Sequence, residues 1–300
     1  MTDFAPLTKP LEQELIEKAP SASYWQEAWS GLKKNKGFLF GLWTLGALVV
    51  MALIGPFLSS YPYYEIHLPL KNSPPSSHFW FGTDELGRDI FCRIWWGARI
   101  SLSVGISAAI IDMAIGVLVG STAGFLGKKY DTILMRLADI LHSIPYLLVV
   151  ILLAVMIGSG ITSILIALTI TGWIPMARIV RGQIIQLKHL EYAEAAYALG
   201  ASPRRILWSH LLPNASGPII TTMTFTIPAA IFAESFLSFL GLGIQAPIAS
   251  WGTMASEGLA ALSYYPWRLF FPSIFISLTM FAFNLIGDAL RDAFDPRLHI

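Results

Sequence analysis

Six stretches of this chain are apolar and long enough to cross a bilayer, which takes about 20 residues for about 30 Å of hydrocarbon. Residues 38–58 carry no charge, residues 100–126 hold only Asp112, and residues 140–157 hold only His142. The break Gly158-Ser159-Gly160 opens a fourth stretch, residues 161–177, which stops before Arg178 and Arg181. A fifth starts near residue 211 and passes the lone Glu234 to residue 240, and a sixth covers residues 269–287. Pro145, Pro175 and Pro228 fall inside these spans and read as kinks that neighbouring helices accommodate. Gly116, Gly120 and Gly124, four residues apart, make one smooth face for close helix packing.

The pattern predicts an all-α integral membrane protein of six transmembrane helices. Composition agrees: 55% of residues are hydrophobic and 13% are charged, where a soluble domain carries about 25% charged residues. Mean hydropathy is +0.60. A net charge of +1 offers no basic field for nucleic acid, which is not expected as a partner. The lone Cys92 excludes an internal disulfide, and no Cys/His spacing matches a metal site.

Basic residues set the expected orientation. With both termini cytoplasmic, 15 of the 20 Lys and Arg lie inside, and only Lys71, Arg88, Arg93, Arg99 and Arg268 lie outside. The organisation expected is a cytoplasmic leader over 1–37, a first span with an outer loop over 38–99, a five-helix core over 100–290 and a tail over 291–300. In this topology Cys92 faces outward and should react with a membrane-impermeant thiol reagent.

Three polar segments are larger than simple connections. The outer segment 59–99 reaches Phe81-Gly82-Thr83-Asp84-Glu85-Leu86-Gly87-Arg88-Asp89, after which Ile90, Phe91, Ile94 and Trp95 recur at helical spacing. That spacing predicts a short interfacial helix with Trp95 and Trp96 at headgroup depth. The outer segment 241–267 predicts a helix near residues 251–262, capped by Ser250. The inner segment 178–213 predicts two short helices around a corner. Residues 191–199 are rich in Ala, Glu and Leu, Gly200 suits the left-handed C′ position, and Ser202 with Pro203 suits the cap and first turn of the next helix. Pro213 is expected to close that second helix. Such a corner, rigidly joined to two spans and carrying Arg204 and Arg205, can dock on a soluble partner.

Isolated polar residues raise further expectations. Asp112 and Glu234 are candidates for lining a pathway, since an ionisable group inside a membrane marks a functional site or a buried partner. Asp139 and His142, at i and i+3, are expected to share a face and to pair, as are Arg291 and Asp295.

The corner carries a specific motif. Glu194-Ala195-Ala196, then Gly200, then Leu212-Pro213 resembles the hallmark of the permease subunits of bacterial ATP-binding-cassette importers, E-A-A, three residues, G, nine residues, I-x-L-P. His210 stands where the general pattern has Ile, and the form His210 to Asn214 is similar to the peptide-permease branch. Gly97-Ala98-Arg99, residues 234–243, Ser250-Trp251-Gly252 and Gly287-Asp288 through Asp295-Pro296 also resemble the second ("C") permease of oligopeptide and dipeptide importers.

The resemblance implies a type I importer permease fold in a bacterial cytoplasmic (inner) membrane. It implies a second homologous permease, two ATP-binding subunits and an external peptide-binding protein as partners, besides the bilayer. ATP and Mg would be bound by the ATPase subunits, with no cofactor on this chain, which has no G-x-x-x-x-G-K-[ST] loop. Glu194, Ala195, Ala196, Gly200, Ser202, Arg204, Arg205, Leu212 and Pro213 would couple to the ATPase, and Thr83, Asp84, Gly87, Arg88 and Asp89 form the outer motif. Oligopeptide is the favoured cargo, with dipeptide or nickel as alternatives. A membrane-embedded hydrolase is the reading from another class, and no G-x-S-x-G or H-E-x-x-H supports it.

Overall fold

The computed structural model describes residues 24–245 and 247–294. Helices α1 (Tyr24–Lys34) and α2 (Lys36–Leu58) precede an irregular segment with one 3-10 turn, Leu68–Leu70. Then come α3 (Ile90–Phe125), α4 (Lys128–His142), α5 (Tyr146–Ile157) and α6 (Ile161–Leu187). Two short helices follow, α7 (Glu191–Ala198) and α8 (Pro203–Ile206), leading through a π-helical turn, Leu207–Leu211, and a helical turn, Leu212–Asn214, into α9 (Ser216–Phe239). Helices α10 (Trp251–Leu259) and α11 (Trp267–Phe294) complete the described chain. Among the described residues the only bridge between extended segments joins Thr83 and Asp89.

Five helices, α2, α3, α6, α9 and α11, are long and apolar enough to cross a membrane; α4 and α5 qualify only together, bent by 76°. The third expected span is therefore not one helix. Pro145 lacks an N–H and pushes the residue before it out of the helical region, so α4 closes at Ser143 and α5 restarts at Tyr146. Alone, the 12 residues of α5 reach only about 18 Å.

The expected interfacial helix and the second span are likewise a single element. Asp89 accepts the N–H groups of Phe91 and Cys92, and α3 then runs unbroken for 36 residues, about 54 Å. Its first turns are not a separate surface helix. Trp95 is buried, stands edge-on to Phe275 at 4.8 Å, and packs over Gly55 of α2, where a Cβ would come within 2.5 Å of its ring. Trp96 keeps partial exposure, stacked on Tyr63 at 4.3 Å. Cys92 is 2% exposed and donates to the Pro56 carbonyl at 3.8 Å, so it cannot report sidedness to a thiol reagent.

Of the three expected kinks, Pro175 and Pro228 sit inside helices, and so do two further prolines, Pro56 in α2 and Pro272 in α11. Pro56 cannot donate to the carbonyl of Ala52, four residues back, and in hydrocarbon that carbonyl needs another donor. Arg99 supplies it, with Nε donating to Ala52 O at 2.5 Å and Nη2 to Leu53 O at 2.7 Å.

Helix α3 is the centre of the bundle, packed against α2, α6 and α9. The glycine face does what its spacing predicts. A Cβ on Gly116 would lie 2.6 Å from Met176 Cβ, one on Gly124 would lie 2.9 Å from the Arg181 carbonyl, and one on Gly120 would collide with the Ala177 carbonyl. Gly120→Leu should lower stability by about 1–3 kcal/mol or more through overpacking against rigid backbone. Thermal unfolding of the detergent-solubilised protein reads this, and an unshifted midpoint would show that the α3–α6 contact yields.

Contacts also sort the loops into two ends. Lys188 Nζ donates to Gly124 O at 2.9 Å, and α1 packs through Ala28 and Leu32 on Ala289, Ala293 and Phe294 at the end of α11. At the opposite end the 59–89 segment meets α10 and the start of α11 through Arg88, Glu257 and Arg268. Of the expected leader, residues 1–23 lie outside the described residues, as does Asp295, the expected partner of Arg291.

Candidate functional site

The corner between α6 and α9 is built as its residues dictate. Helix α7 ends on Leu199, and Gly200 follows at φ +82°. The Gly200 N–H donates to Tyr197 O and the Ala201 N–H to Ala196 O, each at 3.0 Å, the paired bonds of a Schellman cap. Ser202 Oγ then accepts the Arg205 N–H at 3.4 Å with Pro203 at the first turn. Pro213 does not close this second arm. The helical path continues, opening into the π turn just before Pro213, where the missing N–H and the ring disfavour an ordinary α turn. The Asn214 amide donates to the His210 carbonyl across that turn at 2.6 Å.

The corner has two faces. Beneath, Ala193, Ile206, Leu211 and Leu212 pack on Met176, Val180 and Ile184 of α6, so any force on the corner reaches two long helices. Outward, Glu194, Ala195, Gly200, Ser202, Arg204, Arg205 and Pro213 are exposed, while Ala196 is half-buried. Leu212 of the expected coupling set belongs to the root. The sequence reading missed the apolar tip: Leu199 is 89% and Tyr197 63% exposed, large apolar groups in an Ala-rich run that could have signalled a docking surface.

The outer motif is a buried lock. Asp84 accepts the N–H groups of Leu86 and Arg88 on Oδ1 and the Arg88 Nε on Oδ2 at 2.6 Å, and pairs by charge alone with Arg93, whose Nε stands 3.5 Å away. Glu257 of α10 binds Arg93 at 3.2 Å and Arg88 at 3.4 Å. Arg268 of α11 ties in Asn72, Glu85 and the Glu257 carbonyl, each at 3.2 Å. Thr83 Oγ1 donates to Leu70 O at 2.5 Å, and Gly87, at φ +72°, leaves no room for a side chain against the His67 carbonyl. Ser59 donates to Asp89 Oδ2 at 2.6 Å. Burial pushes the Asp89 carboxyl above its ordinary range, against that bond and those from Phe91 and Cys92 N–H, which favour the ionised form. Asp84, Arg88 and Asp89 thus fasten this segment to α3 and α10, Glu85 and Asn72 fasten it to α11, and Thr83 and Gly87 shape its turns.

The two intramembrane carboxylates differ. Glu234 is 0% exposed; it accepts from Ser101 at 3.0 Å and Ser238 at 2.8 Å, with Ser235 at 3.5 Å. It does not line a cavity, as expected above, but joins α3 to α9 beneath Trp251, whose N–H reaches Ser101 Oγ at 3.4 Å. Asp112 is 4% exposed, and its Oδ1 has no hydrogen-bond partner among the described residues. Asp139 does not pair with His142. It accepts from Arg178 of α6 at 2.9 Å, and Arg181 holds Asp131 in a second α4–α6 pair with Nη2 to Oδ2 at 2.7 Å, because α4 folds back along the end of α6 that leads into the corner.

Known proteins place this architecture. The family described as "Binding-protein-dependent transport system inner membrane component" matches residues 116–300, and "N-terminal TM domain of oligopeptide transport permease C" matches residues 23–75. The chain is similar to the dipeptide transport system permease protein DppC of Bacillus subtilis (strain 168), 59% identical over 282 residues that cover 94% of this chain and 88% of that protein. It is 55% identical over 287 residues to the oligopeptide transport system permease protein OppC of the same organism, covering 96% of this chain and 94% of the other. A solved structure of the MetNI methionine ABC transporter, in inward-facing conformations, matches with TM-score 0.54 and 19% identity over 66% of this chain and 94% of that one, which shows the fold alone. The chain belongs to the binding-protein-dependent transport system inner membrane components, the permease subunits of ATP-binding-cassette importers, in their oligopeptide and dipeptide permease C branch.

Proposed function

We propose that this chain forms, with a second homologous permease, the pathway for oligopeptide uptake across a bacterial cytoplasmic membrane. Two ATPase subunits dock on the α7–α8 corner from the cytoplasm, and an external binding protein delivers the peptide at the opposite end. The observation that carries this reading is the corner itself: an exposed apolar and basic tip on a capped hinge, rooted in α6 and α9 through a buried cluster. The basic excess at the corner's end supports a cytoplasmic placement of that end and of both termini. ATP hydrolysis then belongs to the partners, and this chain converts their closure into a tilt of its helices.

Dipeptide cargo is the second reading, favoured by the 59% identity to a dipeptide permease. Purification of the chain with its partner subunits, followed by uptake of labelled di- and pentapeptides into proteoliposomes, tests both. ATP-dependent uptake of pentapeptide is the expected result. Uptake of dipeptide alone would shift the cargo, and no co-purifying ATPase would overturn the proposal.

A further inference from the structure

Among the described residues Asp112 is a buried carboxylate with an unpartnered oxygen. Opposite it stands Gly172 of α6, where any Cβ would collide with the carboxylate, so the absence of a side chain there makes room for it. Its Oδ1 and the hydroxyl of Tyr146, the first residue of α5, are both buried without a hydrogen bond among the described residues. Both line one cavity of about 430 Å³ between α3, α5, α6 and α9, a size that suits a small-molecule site. The 76° bend before Tyr146 is what brings α5 to this wall.

The chemistry of the cavity is one-sided. Thr222 and Thr226 also line it, but their hydroxyl protons are committed, to Pro218 O at 2.7 Å and Thr222 O at 3.0 Å. Their oxygens are left as acceptors. With the carboxylate, the wall offers several acceptors and a single free donor, the Tyr146 hydroxyl, and no Lys, Arg or His lines the cavity. Phe225 and Leu168 supply an apolar flank. An acceptor-rich pocket with one unpaired carboxylate fits a cationic guest with several N–H donors; an anion would find almost nothing to donate to it.

We propose that Asp112 and Tyr146 form a site in the membrane interior that takes the ammonium group of passing cargo, the free amino terminus of a peptide. This rests on the peptide-uptake reading above. The carboxylate and phenol oxygen accept from the ammonium while the first side chain lies along Phe225.

The test needs no binding protein. In the assembled permease–ATPase complex carrying Cys92→Ala, Thr226→Cys places a thiol in the cavity wall, and its labelling rate is measured with trialanine or N-acetyl-trialanine present. Trialanine should slow labelling about tenfold and the acetylated peptide less than about twofold, the scale of one charge-assisted hydrogen bond. Asp112→Asn should abolish the difference and Tyr146→Phe, which leaves the charge in place, should reduce it. Equal protection by both peptides, no protection, no labelling at all, or an undiminished difference in both variants would each overturn the site. Uptake by the intact importer with unselective protection removes the site alone. Selective protection without uptake leaves the site standing and removes the peptide reading.

Discussion

Leu199→Asp should leave the chain able to co-purify with its second permease while cutting ATPase docking, transporter-stimulated ATP hydrolysis and uptake together by about 30-fold or more, the loss of one apolar hot spot worth about 2 kcal/mol. The side chain is 89% exposed, so its replacement removes little contact inside this chain. The turn behind it is secured by Gly200 at φ +82° and by the paired backbone bonds to Tyr197 and Ala196. An acidic group at the last turn of α7 opposes the helix dipole, but at an exposed end that costs about 0.3–1 kcal/mol. That cost is too small to unfold a corner whose underside holds Ile206, Leu211 and Leu212 against α6. Tyr197→Phe, which keeps the ring, serves as the near-neutral comparison. Wild-type ATP hydrolysis in the Leu199→Asp complex would remove the corner as the coupling surface.

The outer lock should respond to Asp84→Ala with a loss of about 3–5 kcal/mol, the cost of breaking a buried ion pair from one side. Arg88 and Arg93 are almost fully buried, and Asp84 binds both besides two backbone N–H groups. With Asp84 gone, two guanidinium groups share Glu257, itself partly open to solvent. Glu85→Ala is the matched control: its pair with Arg268 is half-exposed at the Glu85 end and should contribute about 1 kcal/mol or less. Thermal unfolding and limited proteolysis of the 59–89 segment read both. Equal shifts in the two variants would mean that the segment is held by its aromatic contacts, such as Phe81 stacked on Phe271 at 4.0 Å, and not by the charges.

Much of the corner was legible because its determinants are local. A left-handed glycine, a Ser-Pro helix start and an Ala-rich first arm act within a few residues, and each appears where the spacing predicts. The face that docks was less legible, because exposure depends on what lies beneath. Leu199 and Leu212 are the same residue type within one motif, yet one is the exposed tip and the other packs on α6. The charged residues show the same limit. Spacing along one helix suggested Asp139 with His142, and the partner proved to be Arg178 on another helix.

The sequence by itself determined that the chain is a helical membrane protein, which glycines let helices touch and where the corner turns. These follow from hydropathy, backbone freedom and hydrogen bonding within a turn or two. Only the tertiary structure decided that α3 is continuous from the outer motif inward, that Pro145 breaks a span by 76°, and that two similar intramembrane carboxylates have opposite surroundings. Glu234 finds its serines on α3 and α9, whereas Asp112 meets a glycine and an open cavity. Partners that come from helices distant in sequence are chosen by packing, and hydropathy along the chain carries no record of that choice.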